Sequence, residues 1–244
     1  MKQLKDKLAI LFDSLTEKRR FLSMPLHRND RVGMLYRCWG YVFTNLLKGA
    51  YYEFGVYKGD TCIESWKAYS GLKKWVESQL SSPEAWRREA LKEYAHYPHH
   101  FYGFDTFEGM PENDEKNSTF SKDSFFASLN EVERKCLEKK MEIRFFKGLF
   151  SDIPEETMND LQPAVIVNID SDLYFSARDA LEKVKDKLQQ GTVLLMDDYN
   201  CFSADNSQGE RRALKEFCLK YPRIQFEPWF IYATVGQAFI CHLA

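Results

Sequence analysis

The sequence lacks an excess of charge of either sign: 34 Lys and Arg stand against 36 Asp and Glu, a formal net charge of −2. A nucleic-acid surface normally shows as concentrated Lys and Arg, and the run Lys18-Arg19-Arg20 is too short to supply one. No window reaches 18 consecutive apolar residues, and charges interrupt the apolar positions of the opening stretch MKQLKDKLAILFDSL. The pattern predicts neither a membrane span nor a signal peptide. We therefore expect a soluble, cytoplasmic protein with no nucleic-acid or membrane partner. The six cysteines, at 38, 62, 136, 201, 218 and 241, form no C-x-x-C pair, which points to reduced, packed thiols and away from a zinc site, a redox dithiol or a disulfide scaffold. With 12 Gly and 8 Pro the chain is also too poor in both for a collagen-like fibre.

What is present is material for a core. The 244 residues are 44% hydrophobic and 15% aromatic, enough to repay the entropy of folding. Leu4, Leu8, Leu11, Phe12 and Leu15 recur at helical spacing, so the N-terminus reads as an amphipathic helix that caps the domain or contacts a second copy in a homodimer. A second helix over 32–47 should stop at Gly49, followed by a strand over 50–54, a glycine turn and another helix. Residues 72 to about 98 are rich in Lys, Glu, Arg and Trp and read as one or two exposed helices inserted into the domain. A strand at 100–104, a loop and helix within 112–140, and a strand at 143–146 follow.

The clearest signal lies further on. AVIVNI over 164–169 is continuously apolar, as a central parallel strand covered on both faces must be. An amphipathic helix over 176–190, stopped by Gly191, leads to a second buried strand, TVLLM, over 192–196. This is a βαβ unit. A helix over 209–220 and two short strands, at 224–226 and 238–240, would close the sheet as a hairpin. The fold class is α/β: a doubly wound, mostly parallel, Rossmann-like sheet with helices on both faces. A helical cap over 1–48 would precede a main domain over 49–244.

In such a sheet ligands bind beyond the carboxyl ends of the strands, and the unusual residues collect there. In Glu53-Phe54-Gly55-Val56-Tyr57-Lys58-Gly59-Asp60-Thr61 the glycines are four positions apart, which is not the G-x-G-x-x-G of NAD enzymes. They still permit a tight turn and close backbone approach. The early acid would repel a pyrophosphate but suit an ammonium group, so the segment favours an amino-acid-bearing nucleotide, although an ordinary strand-to-helix turn would look the same. Asp105 ends the next strand, where an acid can accept hydrogen bonds from ribose hydroxyls. Asp170 and Asp172 follow one buried strand, and Asp197 and Asp198 the next. If those strands are adjacent, four carboxylates crowd one rim. A hard cation such as Mg²⁺, with Mn²⁺ or Ca²⁺ also fitting, would relieve that crowding, although Asp172 and Asp198 could instead cap loops or helices.

The segments EFGVYKGDT, GFDTFEGMPE, KGLFSDIPEE, NIDSDLYFSARDALEKVKDKLQQGTVLLMDDY and GERRALKEF together resemble the macrocin and mycinamicin type of sugar O-methyltransferase, a class I S-adenosylmethionine-dependent family. The resemblance spans roughly residues 50–218. It implies a seven-stranded sheet, a methyltransferase domain, S-adenosylmethionine as methyl donor, and a Mg²⁺ that holds an acceptor hydroxyl of a sugar or other vicinal diol. Glu53, Gly55 and Gly59 match the methionine-end turn and Asp105 the ribose acid. Tyr57, Thr61, Thr106, Gly148 and Asp170 complete the expected cofactor set. Asp197 and Asp198 match the metal pair, while Asp170 and Asp172 share between them the roles of further metal ligand and catalytic base. The insertion at 72–98 departs from the family pattern and is expected to reshape the acceptor pocket.

Other residues tempt. His96, His99 and His100 read as pairing with nearby acids or the acceptor, not as a metal site. Cys201 reads as a packed thiol, Tyr174 and Tyr199 as pocket or packing residues, and Trp66, Trp75, Trp86 and Phe107 as packing. The competing functional readings are a nicotinamide-dependent oxidoreductase on a similar sheet and a non-catalytic scaffold of the same fold.

Overall fold

The computed structural model describes residues 26–112 and 121–244, with side chains from Asp30 onward. The expected amphipathic helix over 4–15, and the homodimer it suggested, lie outside the described residues. Seven strands form one sheet: β1 (Ala50–Phe54), β2 (Phe101–Asp105), β3 (Arg144–Lys147), β4 (Ala164–Ile169), β5 (Val193–Met196), β6 (Ile224–Tyr232) and β7 (Gly236–Leu243). Their order is β3-β2-β1-β4-β5-β7-β6. Neighbours from β3 through β5 are parallel, and β7 runs antiparallel to both β5 and β6. The chain moves outward from β1 to β3 and then restarts beside β1 with β4, so the switch in strand direction falls between β1 and β4. A cleft opens there at the carboxyl ends.

The described helices are α1 (Leu26–Thr44), α2 (Asp60–Ser78), α3 (Ala85–Leu91), α4 (Leu129–Glu138), α5 (Glu155–Asn159), α6 (Tyr174–Val184) and α7 (Gly209–Lys220). Every residue of β1, β4 and β5 is buried, because helices cover both faces. Residues of α1, α2 and α4 build the core on one side, and α5, α6 and α7 build it on the other. Among the described residues no helix is long and apolar enough to cross a membrane, and all six cysteines are free thiols.

Several boundaries differ from the sequence pattern. The helix after β4 gives way at Lys185 to a 3₁₀ turn over Lys185–Lys187, so it is shorter than its apolar periodicity suggested. The closing hairpin is longer than expected, because β6 is an edge strand with much of its surface in solvent, and edge strands need no apolar run. The charged stretch 72–98 is not a separate insertion at its start: α2 continues to Ser78, and a 3₁₀ turn (Gln79–Ser81) and α3 follow. Tyr94 then returns to the core and its hydroxyl donates to the Leu47 carbonyl at 2.9 Å. The stretch after α3 thus packs beside Leu47 and Gly49, which precede β1, at the rim opposite the strands' carboxyl ends.

Trp39 ties α1 to the sheet. Fully buried, it packs on Phe43, Tyr69, His99 and Phe101, and its indole N–H donates to Ser65 Oγ at 2.9 Å. Trp75 and Trp86, expected to pack, are instead exposed, whereas Phe107 is buried and Trp66 lies against the core. Trp39→Ala should destabilise the protein by about 3–5 kcal/mol, the usual cost of emptying a buried aromatic site. Denaturant unfolding followed by far-UV circular dichroism would measure it.

Candidate active site

A cavity of about 590 Å³ opens at the carboxyl ends of β1, β2, β4 and β5. Its first wall is the turn after β1. Gly55 has φ 93°, and a Cβ there would run into the Asp170 backbone carbonyl, so only glycine lets this turn pass so close to the end of β4. Gly59, at φ 75°, starts α2. The turn is clamped from the next strand. Asp105 Oδ2 accepts the N–H groups of Val56 and Tyr57, both at 2.8 Å, and Oδ1 accepts that of Phe107 at 2.7 Å. One carboxylate therefore fixes the loops after β1 and β2 together.

Of the expected cofactor set, Gly55, Tyr57, Thr61, Asp105, Thr106 and Asp170 line the cavity. Glu53, Gly59 and Gly148 do not. Gly148 donates its N–H to the Asp105 carbonyl at 3.0 Å, and Glu53 is fully buried behind the turn. Its Oε2 accepts from the Tyr51 hydroxyl while Oε1 has no partner. Burial pushes the Glu53 carboxyl up to about 8, against the lowering effect of the Tyr51 hydrogen bond.

The second wall is acidic. β4 and β5 are adjacent, with Ile169 opposite Met196, so the residues that follow them emerge side by side. Carboxylate oxygens of Asp170, Asp197 and Asp198 lie within 4.8 Å of one another. Asp172, at φ 58°, lies outside this trio and faces Asp198. Burial, then the charge of Asp198, holds its carboxyl well above the ordinary carboxylate range. Asp197 is raised too, by burial and then by Asp170. Behind them Glu210, at the start of α7, is fully buried. Its Oε2 accepts the Asp198 N–H at 3.1 Å, and its Oε1 has no partner. Burial, then Asp198, raises it as well.

Among the described residues, the positive charge that pairs with these acids is Arg31, from α1. Its Nη1 lies 3.4 Å from Asp170 Oδ2, and its Nη2 pairs with Asp197. Burial alone would lower the guanidinium's pKa, but the charges of Asp170 and Asp197 hold it above its ordinary value.

Arg31 and Glu210 were both missed by sequence reasoning. Glu210 lies in the segment GERRALKEF, where an acid in a first helical turn reads as complementing the helix dipole. Nothing near Arg31 in sequence announces partners 139 and 166 residues away. The histidine expectation also needs correction. His99 is buried, with Nδ1 at 2.8 Å from the Gly49 carbonyl and Nε2 at 3.2 Å from the Tyr94 hydroxyl; burial pushes it down to about 4. It pairs with no acid and keeps away from the cavity. No residue of 72–98 lines the cavity, so that stretch does not shape it. Tyr174 bonds Glu216 at 2.5 Å and Tyr199 packs on Phe239, and neither lines the cavity. Cys201 donates to Asp198 Oδ1 at 3.2 Å, and burial pushes its thiol up to about 12, far from a reactive thiolate.

The family model for macrocin-O-methyltransferase (TylF) matches residues 85–222. No curated protein sequence matches the chain. Among solved structures, the O-methyltransferase NovP is 18% identical, with 88% of this chain and 80% of that one covered and a TM-score of 0.64. CalS11, a calicheamicin methyltransferase, is 15% identical over 91% of this chain and 83% of its own, with a TM-score of 0.61. A second CalS11 structure, described as a TDP-rhamnose 3'-O-methyltransferase, has a TM-score of 0.55 at 15% identity, over 91% of this chain and 84% of that one. At these identities the structures establish a shared fold.

The buried acids predict a pH dependence. Glu53 keeps its proton in the fold up to about 8 but loses it near 4.5 in the unfolded chain. The native state therefore binds more protons between those values, and stability falls as pH rises through that window. Thermal denaturation in EDTA should show a melting temperature declining from about pH 5 to pH 8, with a shallower slope for Glu53→Gln.

Proposed function

The chain belongs to the macrocin O-methyltransferase family, and on that premise we propose a Mg²⁺-dependent transfer of a methyl group to a hydroxyl of a sugar or another small molecule with adjacent hydroxyls. The protein is an S-adenosylmethionine-dependent O-methyltransferase. The finer reading rests on one observation: three carboxylates from the ends of two adjacent strands converge within 4.8 Å on the cavity wall. The all-oxygen donor set fits a hard divalent cation, and the buried, unpartnered Oε1 of Glu210 behind it marks a cluster short of positive charge. The sugar acceptor named for CalS11 supports the same substrate class.

Asp170, Asp197 and Asp198 would hold the cation, for which Mn²⁺ or Ca²⁺ could substitute. When bound, the cation supplies Lewis acidity that lowers the pKa of an acceptor hydroxyl, and the cofactor supplies an electrophilic methyl group. Asp172 is the base. Burial, then the charge of Asp198, keeps its carboxyl protonated in the metal-free fold; a cation held by Asp170, Asp197 and Asp198 would lower that proton affinity, and the ionised carboxylate would take the hydroxyl proton. On the cofactor side, Glu53 is buried behind the turn and outside the cavity lining, so it would support the turn from within and leave contact with the cofactor to the turn's own residues. Gly55, Tyr57, Gly59, Thr61, Asp105, Thr106 and Gly148 belong to the turns that surround the nucleoside. Asp105 does so with its oxygens already accepting three backbone N–H groups, so it fixes the shape of the turn as well as offering an acceptor. Holding two reactants in attack geometry can contribute roughly 7–11 kcal/mol to the rate.

Asp197→Ala should reduce Mg²⁺-dependent turnover by more than about 100-fold, since even residues that only support a metal ligand cost 10–100-fold when changed. S-adenosylhomocysteine binding, read by thermal shift, should persist. Turnover equal to the unmodified enzyme would remove Asp197 from the site.

A further inference from the structure

Arg31 stands on α1, outside the sheet that carries the acids, yet its guanidinium pairs with two of the three converging carboxylates, Asp170 and Asp197. Its placement is built. The neighbouring Asp30 accepts the Ala233 N–H at 2.8 Å, which pins the first described turns of α1 to the connection between β6 and β7. Tyr232, fully buried next to that connection, faces Asp197, Glu210, Asp170 and Arg31, and its hydroxyl has no partner. Arg31 also lines the cavity, so the guanidinium has open space beside it.

We infer that Arg31 is a resident counter-cation of the acidic cluster, and that a divalent cation enters by exchange with it. The inference rests on the metal reading of the proposed function. A carboxylate oxygen that accepts an arginine N–H cannot also give its full charge to a metal, and a guanidinium beside a divalent cation is repelled by it. Both cations therefore compete for Asp170 and Asp197. In the metal-free enzyme Arg31 keeps the ends of β4 and β5 assembled against mutual repulsion. On exchange it swings into the cavity, and the start of α1 loses that tie to those two strands. Arg31 is thus a positioning residue that sets the site's metal affinity.

The test measures Mn²⁺ binding by electron paramagnetic resonance, with Mg²⁺ as competitor, on unmodified enzyme, Arg31→Gln and Arg31→Lys. Arg31→Gln should bind Mn²⁺ about tenfold more tightly, a typical coupling between competing sites. It should melt at a lower temperature than the unmodified enzyme in EDTA and gain more on Mg²⁺ addition. Arg31→Lys, a single ammonium unable to bridge both acids as a fork does, should bind more tightly by a smaller factor. It decides the question alone if Arg31→Gln does not fold. Unchanged or weaker Mn²⁺ binding in the variants, with normal binding by the unmodified enzyme, overturns the exchange and leaves the metal reading intact. Absence of Mn²⁺ binding in the unmodified enzyme overturns the metal reading itself.

Discussion

The constraint on which the site depends is the confinement of like charges. Asp170, Asp172, Asp197, Asp198 and Glu210 are drawn together because β4 and β5 are neighbours in register and α7 starts behind them. Apolar burial on both faces of the sheet fixes that arrangement. The carboxylates have no freedom to separate, so the fold must hold them with protons, a guanidinium or a metal. The hydrophobic core thus imposes an electrostatic problem at its edge, and the chemistry of the site is the way that problem is resolved.

The other half of the cavity is organised by the opposite device. Where the ends of β4 and β5 concentrate charge, the turn after β1 concentrates backbone. Gly55 passes against the end of β4, and Asp105 gathers three backbone N–H groups into one carboxylate. The two halves meet between Gly55 and Asp170, at the point where strand order reverses. A ligand spanning that seam would touch a stiff turn on one side and a charged cluster on the other.

Much of this was legible in the sequence. AVIVNI and TVLLM announced two buried strands because only a two-sided burial tolerates unbroken apolar runs, and the acids after them could be placed on one rim from chain direction alone; that the strands are neighbours came only with the sheet order. The Asp105 clamp was not legible, since its partners are backbone N–H groups that every residue but proline carries. Arg31 was hidden for a different reason. Its partners are remote in sequence, and an arginine in an amphipathic helix reads as solvated surface. The hairpin of β6 and β7 was underestimated because an edge strand carrying Glu227, Pro228 and Trp229 shows no continuous apolar pattern. His99 was misjudged because burial, which decides whether a histidine is charged, has no local sequence signature.

The charged segment between α2 and β2 sits at the rim where the strands begin, anchored through Tyr94 and His99 to the chain around Leu47 and Gly49. The two rims of the sheet are thereby independent in what they can absorb. Residues added, lost or recharged at the starting rim change the local outline and solvation there, away from the cavity at the opposite rim. Such a molecule can drift in shape along one edge without drifting in chemistry along the other.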